Sequence, residues 1–101
     1  MLWWGVMVEL APSTRLVPGK HVHVREFDGE LVVLDLKKGE YYALRDVGAL
    51  AWQRIEEGRS LQEIAEEVAA SYDVGVALAL NDLLVLGNEW IGHGLVERAQ
   101  G

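Results

Sequence analysis

The sequence predicts an α+β domain in which a three-stranded antiparallel sheet precedes three helices. Two observations carry this reading. Between residues 21 and 44, three short stretches rich in β-branched, leucine and aromatic residues are separated by Asp28-Gly29 and Lys38-Gly39, pairs suited to tight turns. From residue 46 onward, apolar residues recur at three-to-four spacing in three successive runs, the period of helices with one buried face.

In the first strand, Val22 and Val24 share one face while His21, His23 and Arg25 share the other, as in a half-buried strand. Residues 30–36 are apolar on both faces for most of their length, which suits a central strand flanked by two neighbours. The third strand, residues 40–44, is short and aromatic, and everything after it is expected to be helical.

Asp46 is the expected N-cap of the first helix, which carries Val47, Leu50, Ala51, Trp52 and Ile55 and ends at Gly58 as a left-handed residue. Ser60 with Glu63 forms a capping box ahead of a stripe of Leu61, Ile64, Ala65, Val68, Ala69 and Tyr72. The third helix, residues 76–93, gathers Asn81, Asp82, Asn88 and Glu89 in one arc, although Leu78 and Val85 interrupt it. Leu80, Leu83, Leu84, Leu86, Trp90 and Ile91 cover the opposite half-circle, wider than the roughly 100° one core contact requires. The surplus apolar surface should meet something else. This order of elements suggests a winged helix-turn-helix-like domain.

A chain of 101 residues, half of them hydrophobic, holds one such domain. Residues 1–20 are expected to form an N-terminal arm and residues 21–101 the domain. Residues 1–8 are apolar but too short for a membrane span and have no basic flank for a signal peptide. The absence of cysteine fits a reducing compartment, and a cytoplasmic location is expected. Sixteen acidic against nine basic residues give a formal charge of −7, which repels nucleic acid and anionic membranes.

Arg15-Leu-Val-Pro-Gly19, Leu34-Asp-Leu-Lys-Lys-Gly-Glu-Tyr-Tyr-Ala-Leu44, Gly48 with Trp52, Gly58, Glu63-Ile64, Tyr72, Asp82 and Gly94-Leu-Val96 stand in an order and spacing that resembles the PqqD-like family over nearly the whole chain from Arg15. The resemblance implies a recognition element for ribosomally synthesised, modified peptides. Such an element binds the precursor's leader as an added strand between the third strand and third helix, does no chemistry and uses no cofactor. Lys38-Gly39 and the paired tyrosines look most like the stand-alone members of lasso-peptide pathways, which implies delivery of the precursor to a separate leader protease. The sequence departs from the family pattern at Gly87, where many relatives carry a bulky apolar residue.

The expected peptide-binding residues are Tyr41, Tyr42, Ala43 and Leu44 on the third strand, with Leu80, Asp82 and Leu84 on the third helix. The strand is an edge without proline, bulge or inward charge to protect it, open to β-augmentation unless the N-terminal arm pairs with it. Tyr42 and Leu44 should face the core with Tyr41 outward, and one of Tyr41 and Ala43 should turn its N–H to the free edge. Leu83, Leu86 and Trp90 are assigned to the core; Leu80 and Leu84, on one side of them, line a groove or join that core. Asp82 either pairs with a basic leader residue or is solvated.

His21 and His23 lie two residues apart without an evident third metal ligand, and no metal site is expected. No nucleophile–base–acid order or phosphate loop is present, so the chain is not expected to be an enzyme. Two rival readings are a winged-helix DNA-binding regulator and a structural subunit that dimerises through its apolar helix face. The first conflicts with a third helix that has no Lys or Arg.

Overall fold

The computed structural model describes residues 10–99. Its elements are β1 (Leu16–Pro18), β2 (Val22–Phe27), β3 (Glu30–Asp35), β4 (Glu40–Leu44), α1 (Asp46–Glu56), α2 (Leu61–Tyr72), α3 (Val76–Gly92) and β5 (Val96–Arg98). The three strands and three helices expected from the sequence are β2, β3 and β4 followed by α1, α2 and α3.

The sheet is an antiparallel meander of order β2-β3-β4, with Val24 opposite Val33 and Val33 opposite Tyr42. Leu31, Val33 and Leu44 turn inward and are buried. Asp28 and Gly29 both take positive φ between β2 and β3, as a two-residue hairpin that follows the twist of its strands requires.

Two further strands join the ends of the described chain. β1 pairs antiparallel with β5, Val17 opposite Glu97, so not everything after β4 is helical. The strands are three residues each, too short for alternation to be read. Leu16 and Val96 are buried in the main core, and Gly19 accepts the approach because any Cβ there would stand 2.8 Å from the Gly94 carbonyl oxygen. The part of the expected N-terminal arm that is described, residues 10–20, is therefore packed into the domain. Residues 1–9 lie outside the described residues.

Residues 12–14 also complete α2. The Leu61 and Gln62 amides donate to the Thr14 and Pro12 carbonyls, while Glu63 N–H donates to Ser60 Oγ and Ser60 N–H to Glu63 Oε1. The four N–H groups that a helix start leaves open are thereby satisfied. α1 ends in a Schellman motif: Gly58, at φ 85°, donates to the Ile55 carbonyl and Arg59 to the Arg54 carbonyl. Its start differs from expectation. Arg45, in extended conformation, holds the N-cap position without a side-chain cap, and Asp46 is the first helical residue.

The core lies between the sheet and the helices, around Trp52, Ile64, Leu83 and Leu95. Arg54 grips Glu67 through two hydrogen bonds of 2.7 and 2.9 Å and ties α1 to α2. No helix among the described residues is long and apolar enough to cross a membrane.

Candidate peptide-binding cleft

The direction of each backbone group on β4 follows from the register. Leu36 N–H donates to the His21 carbonyl at 3.0 Å, and the alternation of an antiparallel ladder then assigns Leu34 and Val32 to bonds with β2. Leu31, Val33 and Asp35 are left to bond β4 through Leu44, Tyr42 and Glu40. Tyr41 and Ala43 consequently turn both N–H and C=O away from the sheet. The sequence reading expected one of these two to face outward. Both do, because residues two apart on a strand share their hydrogen-bonding direction. Among the described residues no strand covers this edge.

Side chains follow the complementary alternation. Tyr42 is half-buried and Leu44 buried on the core face, whereas Tyr41 is 71% exposed on the other. The turn that begins the edge is fixed by Asp35, which is 1% exposed. Its Oδ1 accepts the Lys37 and Lys38 amides at 3.0 Å each, and His21 Nε2 stands 3.7 Å away. The Lys38 amide above all holds the Asp35 carboxyl below the usual aspartate range, against the opposing effect of burial. Tyr42 donates to Glu40 Oε1 at 2.9 Å, and this bond to a carboxylate raises the phenol's pKa.

α3 runs beside this edge in the opposite direction. At its end, His93 stacks obliquely on Tyr42, ring centroids 5.5 Å apart, and its carbonyl accepts from Lys38 Nζ. An open hollow of ≈510 Å³ lies here, between residues 38–42 and His93. Further along, a second hollow of ≈390 Å³ is bounded by Val47 and Gly48 at the start of α1 and by Asp82, Leu83, Val85, Leu86 and Glu89 of α3. One hollow lies where β4 begins and the other just past its end, so a cleft between β4 and α3 would run from one to the other.

Of the seven residues expected from the sequence, Tyr41 and Tyr42 line the first hollow and Asp82 the second, Ala43 lies on the free edge after Tyr42, and Leu44 is buried in the core. Leu80 and Leu84 line neither hollow. They are half-buried against the core, and helical geometry puts Leu84 about 160° around α3 from Asp82. Leu86 packs against the core, as the sequence predicts, and also lines the second hollow, with Glu89 and Val85. The local signal was Gly87: a Cβ there would meet Leu10 Cδ1 at 3.0 Å and Leu16 Cδ1 at 3.5 Å. A glycine within a helix marks the flank that another segment approaches closely, which leaves the opposite flank to form the cleft wall. Leu10 fills the space that a bulkier residue at position 87 would take.

His21 approaches Asp35, and among the described residues no group of three metal-ligating side chains is assembled.

The sequence profile of the family described as coenzyme PQQ synthesis protein D (PqqD) matches residues 30–96, from the start of β3 into β5. The chain belongs to the PqqD family. Two solved structures share the PqqD-like fold closely. TbiB1 in complex with the TbiA(beta) leader peptide superposes with a TM-score of 0.77 at 28% identity, over 84% of this chain and 99% of that one. Lasso peptide synthetase B1 complexed with the leader peptide gives a TM-score of 0.74 at 29% identity, over 84% of this chain and 98% of that one. No curated protein matches the chain.

Proposed function

We propose that this protein binds the leader segment of a ribosomally synthesised precursor peptide by strand addition to β4. The leader lies in the cleft beneath α3, and the protein presents it to a separate processing enzyme, a leader protease of the lasso type. The observation that carries this reading is the free edge at Tyr41 and Ala43, which faces an open cleft in a fold whose two similar solved structures are both leader complexes. The role is recognition, with no chemistry and no cofactor of its own.

Strand addition supplies register. Tyr41 and Ala43 together offer two N–H donors and two carbonyl acceptors, each hydrogen bond contributing about 1 kcal/mol net. That falls short of the roughly −8 kcal/mol of micromolar binding once the entropy of association is included. Apolar leader side chains must therefore bury themselves in the cleft, and Leu86, Val85 and Val47 offer the surface for them. A DNA-binding role finds no support in α3, whose only charged residues are Asp82 and Glu89.

Two measurements test the proposal. A labelled leader from the protein's candidate precursor should bind with micromolar or tighter affinity, and a scrambled leader should not. Adding this protein should also accelerate cleavage of that precursor by a lasso-type leader protease. Equal affinity for leader and scramble would overturn the recognition role, and an unchanged cleavage rate would overturn the presentation role.

A further inference from the structure

The hollow at the α1 end of the cleft combines an apolar floor with an acidic wall. Val47, Leu83, Val85 and Leu86 supply the floor, and Asp82 and Glu89 are its only charged lining residues. These two carboxylates stand two turns apart on α3, about 10 Å along its axis, with Leu86 between them. Neither belongs to an ion pair among the described residues. Arg45, the cation closest in sequence to this end, is held by Glu30 at 2.6 Å. The hollow at the other end is different, because Lys38 and Glu40 balance each other there.

We propose that this end of the cleft selects a Lys or Arg in the leader, next to the leader's apolar anchor. The inference rests on the leader-binding reading. The methylene stem of such a residue lies along Val85 and Leu86 while its charged head reaches toward Asp82 and Glu89, the amphipathic placement long cations adopt on apolar surfaces. Because the hollow stays open to water, the pairing favours one partner over another more than it adds affinity. It also fixes direction: a leader laid in the reverse sense would carry its cation to Lys38 and leave both carboxylates unpaired.

The test uses a displayed library of random 14-residue peptides, sorted for binding to the full chain, to the Asp82→Asn/Glu89→Gln variant and to the Tyr41→Pro/Ala43→Pro variant. A Glu56→Gln/Glu97→Gln variant, changed at exposed sites outside the cleft, controls for net charge. Peptides that need the β4 edge should show Lys or Arg enriched at one position beside an apolar residue. That enrichment should vanish with Asp82→Asn/Glu89→Gln and persist in the control, and individual peptides should lose about fivefold in Kd. Edge-dependent binders without basic enrichment, or with enrichment that survives the double neutralisation, would overturn the inference and leave leader binding standing. A library with no edge-dependent binders would overturn both.

Discussion

Trp52 of α1 and Trp90 of α3 meet edge to face, ring centroids 5.5 Å apart and planes inclined at 72°. The contact joins the two helices that bound the α1 end of the cleft. Trp90 is 6% exposed and Trp52 is fully buried, its Nε1 without a hydrogen-bond partner. Trp90→Ala should therefore cost about 3–5 kcal/mol, the usual range for removing a buried aromatic side chain. Trp52→Phe should cost far less than its loss of volume suggests, within about 1.5 kcal/mol, because it also removes a buried unpaired donor. Urea denaturation of both variants checks the contrast.

Acid should destabilise the turn that starts the β4 edge. The folded-state pKa of Asp35 is lowered, first by the Lys38 amide and then also by the Lys37 amide and the charges of His21 and Lys38. A carboxylate depressed in this way stabilises the fold above its unfolded pKa, and that contribution is lost as the pH falls through the folded pKa. Glu63, held by the Ser60 amide, and Glu67, held by Arg54, shift in the same direction. Stability should thus be level near neutrality and fall below about pH 4. Asp35→Asn keeps an acceptor for the two amides and should flatten part of this acid slope, which urea midpoints at pH 7 and pH 3 would reveal.

Proline substitutions along β4 should separate binding from folding. Tyr41→Pro and Ala43→Pro each remove an N–H that the sheet does not use, and edge strands tolerate proline. Each should keep the native circular dichroism and weaken leader binding about fivefold or more, the equivalent of one hydrogen bond. Tyr42→Pro removes the N–H directed at Val33 and should disrupt the sheet. Leu86→Glu should impair binding by placing a carboxylate in the hollow, at some cost in stability because Leu86 also packs against the core, whereas Leu84→Glu should lower stability alone.

Gly87→Ala should raise thermal stability. Alanine in a helix interior is favoured over glycine by about 1 kcal/mol. The new Cβ would crowd only the ends of the flexible Leu10 and Leu16 side chains, at 3.0 and 3.5 Å, and Leu10 is half-buried. A lower melting temperature would show that Leu10 is fixed more firmly than its position on the rim of the core implies.

Local chemistry made much of this fold legible in the sequence. Asp28-Gly29, the Ser60–Glu63 capping box and the left-handed Gly58 are specified within a few residues, and each stands as expected. The β1–β5 pair was invisible because three-residue strands have no readable period and their partners lie some eighty positions apart. The cap of α1 moved because the chain remains extended through Arg45, whose side chain reaches back to Glu30. At the cleft, the strand half was legible because an edge and its alternation are local properties. On the helix, Asp82 stands at the hollow as expected but the apolar lining was not legible: α3 has apolar residues on both flanks of Leu83, and Leu10 and Leu16 approach the flank that carries Gly87.

Amide hydrogen exchange on β4, measured with and without a leader peptide that binds, tests the central claim most directly. In the free protein the Tyr42 amide, bonded to β3, should exchange slowly, while those of Tyr41 and Ala43, which face the open edge, should exchange fast. Saturating leader should slow Tyr41 and Ala43 by at least tenfold and leave the amides of β2, at the far edge of the sheet, unchanged. Tight binding of the leader with Tyr41 and Ala43 still exchanging at their free rates would contradict strand addition at this edge.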